Sequence, residues 1–128
     1  MIYIDSSIAL AHLLAEPRMP GAAFWDAPLV SSRLLQYEVW NRIHAYGLSG
    51  THREEATALV GRVLLVDLSR LALGRALEPF PIPVRTLDGL HLATIEFLRA
   101  QGVSAELATY DNRLLAAARA LGLPVAAL

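Results

Sequence analysis

Along the 128 residues the spacing of apolar positions switches repeatedly between the two-residue alternation of strands and the 3.6-residue return of helices. Ile2 and Ile4 alternate around Tyr3, so residues 2–5 predict a strand, and IALAHLLAE (8–16) predicts a helix that stops before Pro17. PLVSS (28–32) predicts a second short strand closing on a helix-capping Ser32, followed by a helix, RLLQYEVWNRIHAYG (33–47), ended by Gly47. THREEATALVGRV (51–63) predicts another helix, with Thr51 and Glu54 at capping-box spacing. VLLVDL (63–68) predicts a strand, SRLALGRALE (69–78) a helix, and the proline-bearing FPIPV (80–84) a connector. Then come a helix over TLDGLHLATIEFLRAQG (86–102), a strand over AELATYD (105–111), a helix over NRLLAAARALG (112–122) and a last strand over PVAAL (124–128). Strands separated by helix-length segments, with no repeat or linker, predict an α/β sandwich: one domain over 1–128 with a mainly parallel central sheet flanked by helices.

In such sheets ligands bind beyond the carboxyl ends of the strands, where helix N-termini also gather. Asp5 ends the first strand, Asp111 ends ELATY, and Asp88 falls in the first turn of its helix, so three of the five aspartates lie near one rim. Glu38 lies in the helix after the second strand, among Leu34, Leu35 and Val39. A carboxylate desolvated beside a buried strand costs several kcal/mol unless something neutralises it, so Asp5 demands a compensating partner.

Composition removes several classes of function. Hydrophobic residues make up 55% of the chain, enough for one core, yet Arg62, Asp67, Arg70 and Arg75 interrupt the most apolar region before it reaches membrane-spanning length. There is no cysteine and no apolar leader behind a basic start, so thiolate metal sites and disulfides are excluded and a cytoplasmic protein is expected. All eleven basic residues are arginine, which excludes a lysine nucleophile or Schiff base and leaves forked donors suited to phosphate, although a genome-wide preference for arginine explains the count equally well. A net charge of −1 gives no global nucleic-acid signature, so any such contact must be local.

Taken singly, each acid has an ordinary structural account. Asp88 and Asp111 could start helices, Ser7 after Asp5 could cap one, and Arg42 stands four residues beyond Glu38 at the spacing of a surface ion pair. Four carboxylates from four separate segments are harder to dismiss together, because like charges gain from convergence only around a cation. All-oxygen ligands favour a hard ion, Mg²⁺ or Mn²⁺.

The segments IYIDSS, LLQYEVWNR, LDGLHLA and TYDNRL, in this order over the whole chain, resemble a PIN domain, and their compactness is closest to the toxin ribonucleases of bacterial VapBC toxin–antitoxin modules. LDGLHLAT is the most specific piece, with Gly89 where alanine is commoner. The resemblance implies a PIN-like three-layer sandwich and a Mg²⁺- or Mn²⁺-dependent endoribonuclease that hydrolyses RNA phosphodiester bonds. It implies that Asp5, Glu38, Asp88 and Asp111 are the catalytic and metal-site acids, with Ser7 and Thr109 as supporting hydroxyls. Asp5 and Asp88 would bind directly, Asp111 directly or through water, and Glu38 would hold a second ion or orient the attacking water. It further implies a cognate antitoxin and a homodimer; high hydrophobicity in a small chain also points to self-association.

Arg33, Arg42, Arg85 and Arg113 adjoin the acidic segments and are candidates for RNA phosphate contacts, though singly each reads as a solvated surface residue. His91 is expected to be a packed or helix-orienting histidine and not a ligand; His12, His44 and His52 share no metal-site spacing, and Trp25 and Trp40 are expected as core or interface anchors. A phosphoacceptor receiver or haloacid-type phosphatase would also place aspartates at strand ends, but normally with a lysine, which this chain lacks. A non-catalytic PIN-like module that binds RNA or protein is the remaining alternative, and the intact acid set argues against it.

Overall fold

A computed structural model describes all residues, Met1–Leu128. Four strands, β1 (Ile2–Ile4), β2 (Leu29–Ser32), β3 (Val63–Val66) and β4 (Glu106–Ala108), form one all-parallel sheet in the order β3-β2-β1-β4. Six α-helices accompany it: α1 (Ser6–Leu13), α2 (Leu34–Ala45), α3 (Ser49–Gly61), α4 (Arg70–Ala76), α5 (Thr86–Ala100) and α6 (Asn112–Ala120), together with a 3₁₀ turn over Ala22–Asp26.

The period-2 pattern explains the layering. Ile4, Leu29, Val63 and Ala108 point to one face, where they meet Ile8 and Leu13 of α1, Leu35, Val39 and Ile43 of α2, and Leu59 and Val60 of α3. Tyr3, Val30 and Leu107 point the other way, onto Leu92, Ile95 and Leu98 of α5 and Leu114 and Ala118 of α6; α4 leans on α5. A sheet buried on both faces requires strands apolar at successive positions, which IYI and the start of LVSS supply. The result is the expected three-layer α/β sandwich. No helix is long and apolar enough to cross a membrane.

Several boundaries differ from the sequence expectation. The first helix begins at Ser6, directly after Asp5, and ends at Leu13 instead of Glu16. Ala15 takes the left-handed conformation at φ 48°, and the Glu16 N–H bonds back to the Ala11 carbonyl, closing a Schellman turn ahead of Pro17. Gly47, Gly102 and Gly122 end α2, α5 and α6 in the same way, without the Cβ crowding that Ala15 tolerates. The capping box of Thr51 and Glu54 does not form: α3 starts two residues earlier, at Ser49, so Thr51 lies inside its first turn and its hydroxyl donates to the Leu48 carbonyl. That helix ends at Gly61, leaving Val63 to β3. The predicted last strand shrinks to one parallel bridge, Leu107 to Val125, because Pro124 offers a carbonyl but no N–H and only Ala126 donates back. A Cβ at Gly89 would meet Phe80 and Val84 at 3.4 Å, ordinary contact, so crowding does not demand glycine there.

The sheet order decides where a site can form. From β1 the chain proceeds through β2 to β3 on one side, then returns to lay β4 on the other. The turn after β1 and the turn after β4 therefore flank a topological switch point, the crevice where open parallel sheets bind ligands. Asp5 follows β1 and Asp111 lies just beyond β4.

Candidate active site

Asp5 stands where a helix cap would, but its carboxylate makes no bond to the α1 backbone. Its two oxygens accept hydroxyls instead, from Ser7 Oγ at 2.6 Å and Thr109 Oγ1 at 2.8 Å. Those hydroxyls are themselves fixed, since the Tyr110 N–H donates to Ser7 and the Asp111 N–H to Thr109, each at 2.9 Å. Asp5 is only 5% exposed and has no cationic partner within salt-bridge range. Desolvation pushes its carboxyl above the usual range against the opposing pull of the Ser7 and Thr109 hydroxyls.

Asp88, in the first turn of α5, is buried and accepts Arg85 Nε at 2.8 Å. Asp111 does cap a helix: Oδ1 accepts the backbone N–H groups of Arg113 and Leu114 at the start of α6. Its other oxygen accepts Arg85 Nη2, so one guanidinium bridges two acids. Desolvation alone would raise the Asp111 carboxyl, but Arg85 and the two backbone donors outweigh it and hold it below the usual range. The same two carboxylates, Asp88 before Asp111, raise the pKa of Arg85.

Glu38 does not pair with Arg42, four residues on. Its Oε1 lies 2.6 Å from His91 Nε2 and its Oε2 accepts Ser6 Oγ at 3.1 Å. His91 is the packed α5 histidine expected from its apolar surroundings, yet both ring nitrogens are bonded, the other to the Tyr3 hydroxyl at 2.7 Å. Tyr3 and Ser6 are participants that sequence reasoning missed, as is the contact of His91 with Glu38. The one signal available was spacing: His91 follows Asp88 by three residues and so shares its helix face.

Asp5, Glu38, Asp88 and Asp111 line one open cleft of about 510 Å³, with Ser7, His91, Arg42 and Arg85. Thr109 lies behind Asp5, buried. Arg33 is elsewhere, paired with Asp67 in a second groove beside β3, and the Arg113 side chain does not line the cleft. Trp25 is buried in the core against His12 and Phe24, whereas Trp40 is partly buried beside His44 and Arg53; neither faces the acids. Four carboxylates, two guanidinium groups and fixed hydroxyls at a switch-point crevice supply the donor chemistry that suits a hard cation and a phosphate chain, although no three acids converge on one point as the side chains stand.

No family model matches the chain. Among curated proteins it is 35% identical over 130 residues to Ribonuclease VapC46 of Mycobacterium tuberculosis, covering 98% of this chain and 96% of that protein. Ribonucleases VapC47 and VapC35 of the same species are 28% and 29% identical over 129 and 133 residues, covering 95% and 99% of this chain and 93% and 96% of theirs. Because the 35% identity to VapC46 extends over 98% of this chain and 96% of that relative, the chain belongs to the VapC family of PIN-domain ribonucleases.

Proposed function

We propose that this protein is a divalent-metal-dependent endoribonuclease, the toxin of a VapBC toxin–antitoxin pair, which hydrolyses RNA phosphodiester bonds in the cytoplasm. The ribonuclease names of its relatives support the reaction class. The observation that carries the metal is Asp5, a desolvated carboxylate held by two hydroxyls and no cation, opening on a cleft with three more acids.

The donor set is all oxygen and suits Mg²⁺ or Mn²⁺. As the side chains stand, no three converge closely enough to hold one ion, and Arg85 engages Asp88 and Asp111. A guanidinium balances the charge that an ion would balance, so the residues fit an ion once Arg85 gives way. Asp5 and Asp88 would hold it directly, Asp111 directly or through water, and Glu38 would hold a second ion or orient the attacking water. When bound, the ion supplies a water of lowered pKa and positive charge beside the phosphate. Ser7 and Thr109 keep both oxygens of Asp5 in place, while Arg42 and Arg85 offer donors to phosphate oxygens at the cleft wall.

The expected result is RNA cleavage by the purified protein with Mg²⁺ or Mn²⁺, halted by excess chelator and restored by added metal. Full activity in chelator would overturn the metal mechanism, and no cleavage with either ion would overturn the nuclease assignment.

We infer two protein partners as well, a second copy of the chain and an antitoxin. Leu73 on α4 and Leu77 just beyond it, four residues apart, are exposed, the last at 86%, and Leu71 is exposed on another side of the same helix, which leaves apolar surface that a partner would cover. Sedimentation at micromolar concentration should give the dimer mass, and a monomer throughout would remove the homodimer. Co-expression with the adjacent reading frame should yield a stable complex; two separately eluting proteins would remove the antitoxin.

A further inference from the structure

Glu38 is the one acid of the cleft whose carboxylate is tied to the sheet through a histidine. The Ser32 backbone N–H donates to the Tyr3 phenol oxygen at 3.1 Å, that oxygen lies 2.7 Å from His91 Nδ1, and His91 Nε2 lies 2.6 Å from Glu38 Oε1. Donor arithmetic gives the hydrogens of this chain one consistent direction. A backbone amide can only donate, so it takes a lone pair of the phenol. The phenol's single hydrogen can then go to Nδ1, at 2.7 Å, with the Ser31 and Thr94 hydroxyls also close to the phenol, and a neutral imidazole that accepts at Nδ1 carries its own hydrogen on Nε2, facing Glu38.

We propose that His91 is a positioning residue, locked by Tyr3 as the Nε2–H tautomer, that aims the Glu38 carboxylate into the cleft. The inference rests on Glu38 acting as a cleft acid, as proposed above. Tyr3 is fully buried, and desolvation pushes its phenol far above its ordinary value, so it keeps the hydrogen that sets the tautomer. His91 is 1% exposed and meets the Tyr3 ring edge-on, with 82° between the ring planes. Tyr3 belongs to β1, Ser32 to β2, His91 to α5 and Glu38 to α2, so a flexible side chain on a surface helix takes its orientation from the two inner strands. With Ser6 Oγ holding Oε2 from α1, both carboxylate oxygens are fixed by other elements.

Nitrogen-15 NMR of the metal-free wild type should show His91 protonated on Nε2, and Tyr3→Phe should loosen that preference by removing the hydrogen given to Nδ1. Removal of an outer partner of a site ligand typically costs about 10- to 100-fold, so His91→Leu should lower kcat by that factor with KM for RNA within about twofold. His91→Gln should recover most of the loss, because its amide oxygen can accept from Tyr3 while its NH₂ donates to Glu38. A wild-type hydrogen on Nδ1 would overturn the proposal, as would an unimpaired His91→Leu or a His91→Gln no better than it. Should His91→Leu fail to fold, the tautomer and the comparison of His91→Gln with Tyr3→Phe decide: recovery only in the former supports the proposal, and equal loss in both overturns it. A wild type that cleaves no RNA would sink the nuclease reading alone, since the tautomer is read without metal or substrate.

Discussion

Asp5→Asn should abolish RNA cleavage while leaving the metal-free protein at least as stable as wild type. In the proposed mechanism, loss of one charge-bearing group at a reacting centre costs on the order of 100- to 1,000-fold, and an acid as buried as Asp5 would fall at the upper end. Stability moves the other way. Asp5 is desolvated without a counter-charge, and its carboxyl is pushed upward by burial, so the ionised form is a liability in the folded state. The folded protein therefore binds a proton here more readily than the unfolded chain, and stability falls as pH rises from the ordinary carboxylate value through the raised one. Asn carries no such penalty, so its advantage should grow across that window and persist at neutral pH. The hydrogen bonds adapt: the Asn amide NH₂ can donate to one hydroxyl, and the 3.3 Å contact between Ser7 and Thr109 gives the displaced hydroxyl hydrogen an acceptor. Thermal melts with chelator and with Mg²⁺ check both halves. Wild type should gain from Mg²⁺ by mass action and Asp5→Asn much less. An equal response in both proteins would show that Asp5 holds no ion.

Arg85→Gln should do the reverse to the metal-free protein. The guanidinium bridges Asp88 and Asp111, and without it two carboxylates face each other uncompensated. Because the Arg85 side chain is half exposed, solvent screening limits the loss to about 1 kcal/mol, a few degrees of melting temperature for a domain of this size. The stabilisation by Mg²⁺ should increase, since the ion would no longer displace a resident charge. Acid pH should narrow the gap between the two proteins. Asp111 is held below the usual carboxylate range, so the stability it contributes is present above the unfolded value and disappears as pH falls through the folded one. Melts that coincide for the two proteins at neutral pH, with and without Mg²⁺, would show that Arg85 is only a surface residue.

The sequence made the architecture readable because burial on both sides of a parallel sheet forces runs such as IYI, and because Gly47, Gly102 and Gly122 mark helix ends through their positive φ. It also placed Asp5 directly after β1, which is a local property, but it ran the later strand on to Asp111, whereas β4 stops at Ala108 and Asp111 caps α6. What it concealed depends on which strands become neighbours. Tyr3 and His91 are 88 residues apart, and Glu38 and His91 are 53 apart. No spacing rule along one helix could prefer that pair over Glu38 and Arg42. Thr51 and Glu54 misled for a related reason: the motif is only as good as the helix start, and the tight turn after Gly47 moved that start to Ser49. At Asp111 the ordinary account and the functional one proved compatible, with one oxygen capping α6 and the other facing Arg85.

The bonds from Thr109 to Asp5 and from Ser7 to Thr109 span 104 and 102 residues, beside the parallel ladder that pairs β1 with β4. During synthesis, which releases the chain from its N-terminus onward, β1, β2 and β3 are available long before β4. Until β4 docks, Asp5 lacks one of its two hydroxyl partners and the cleft lacks the wall that bears Asp111. On a ribosome carrying the half-made chain, the cleft is therefore still unformed.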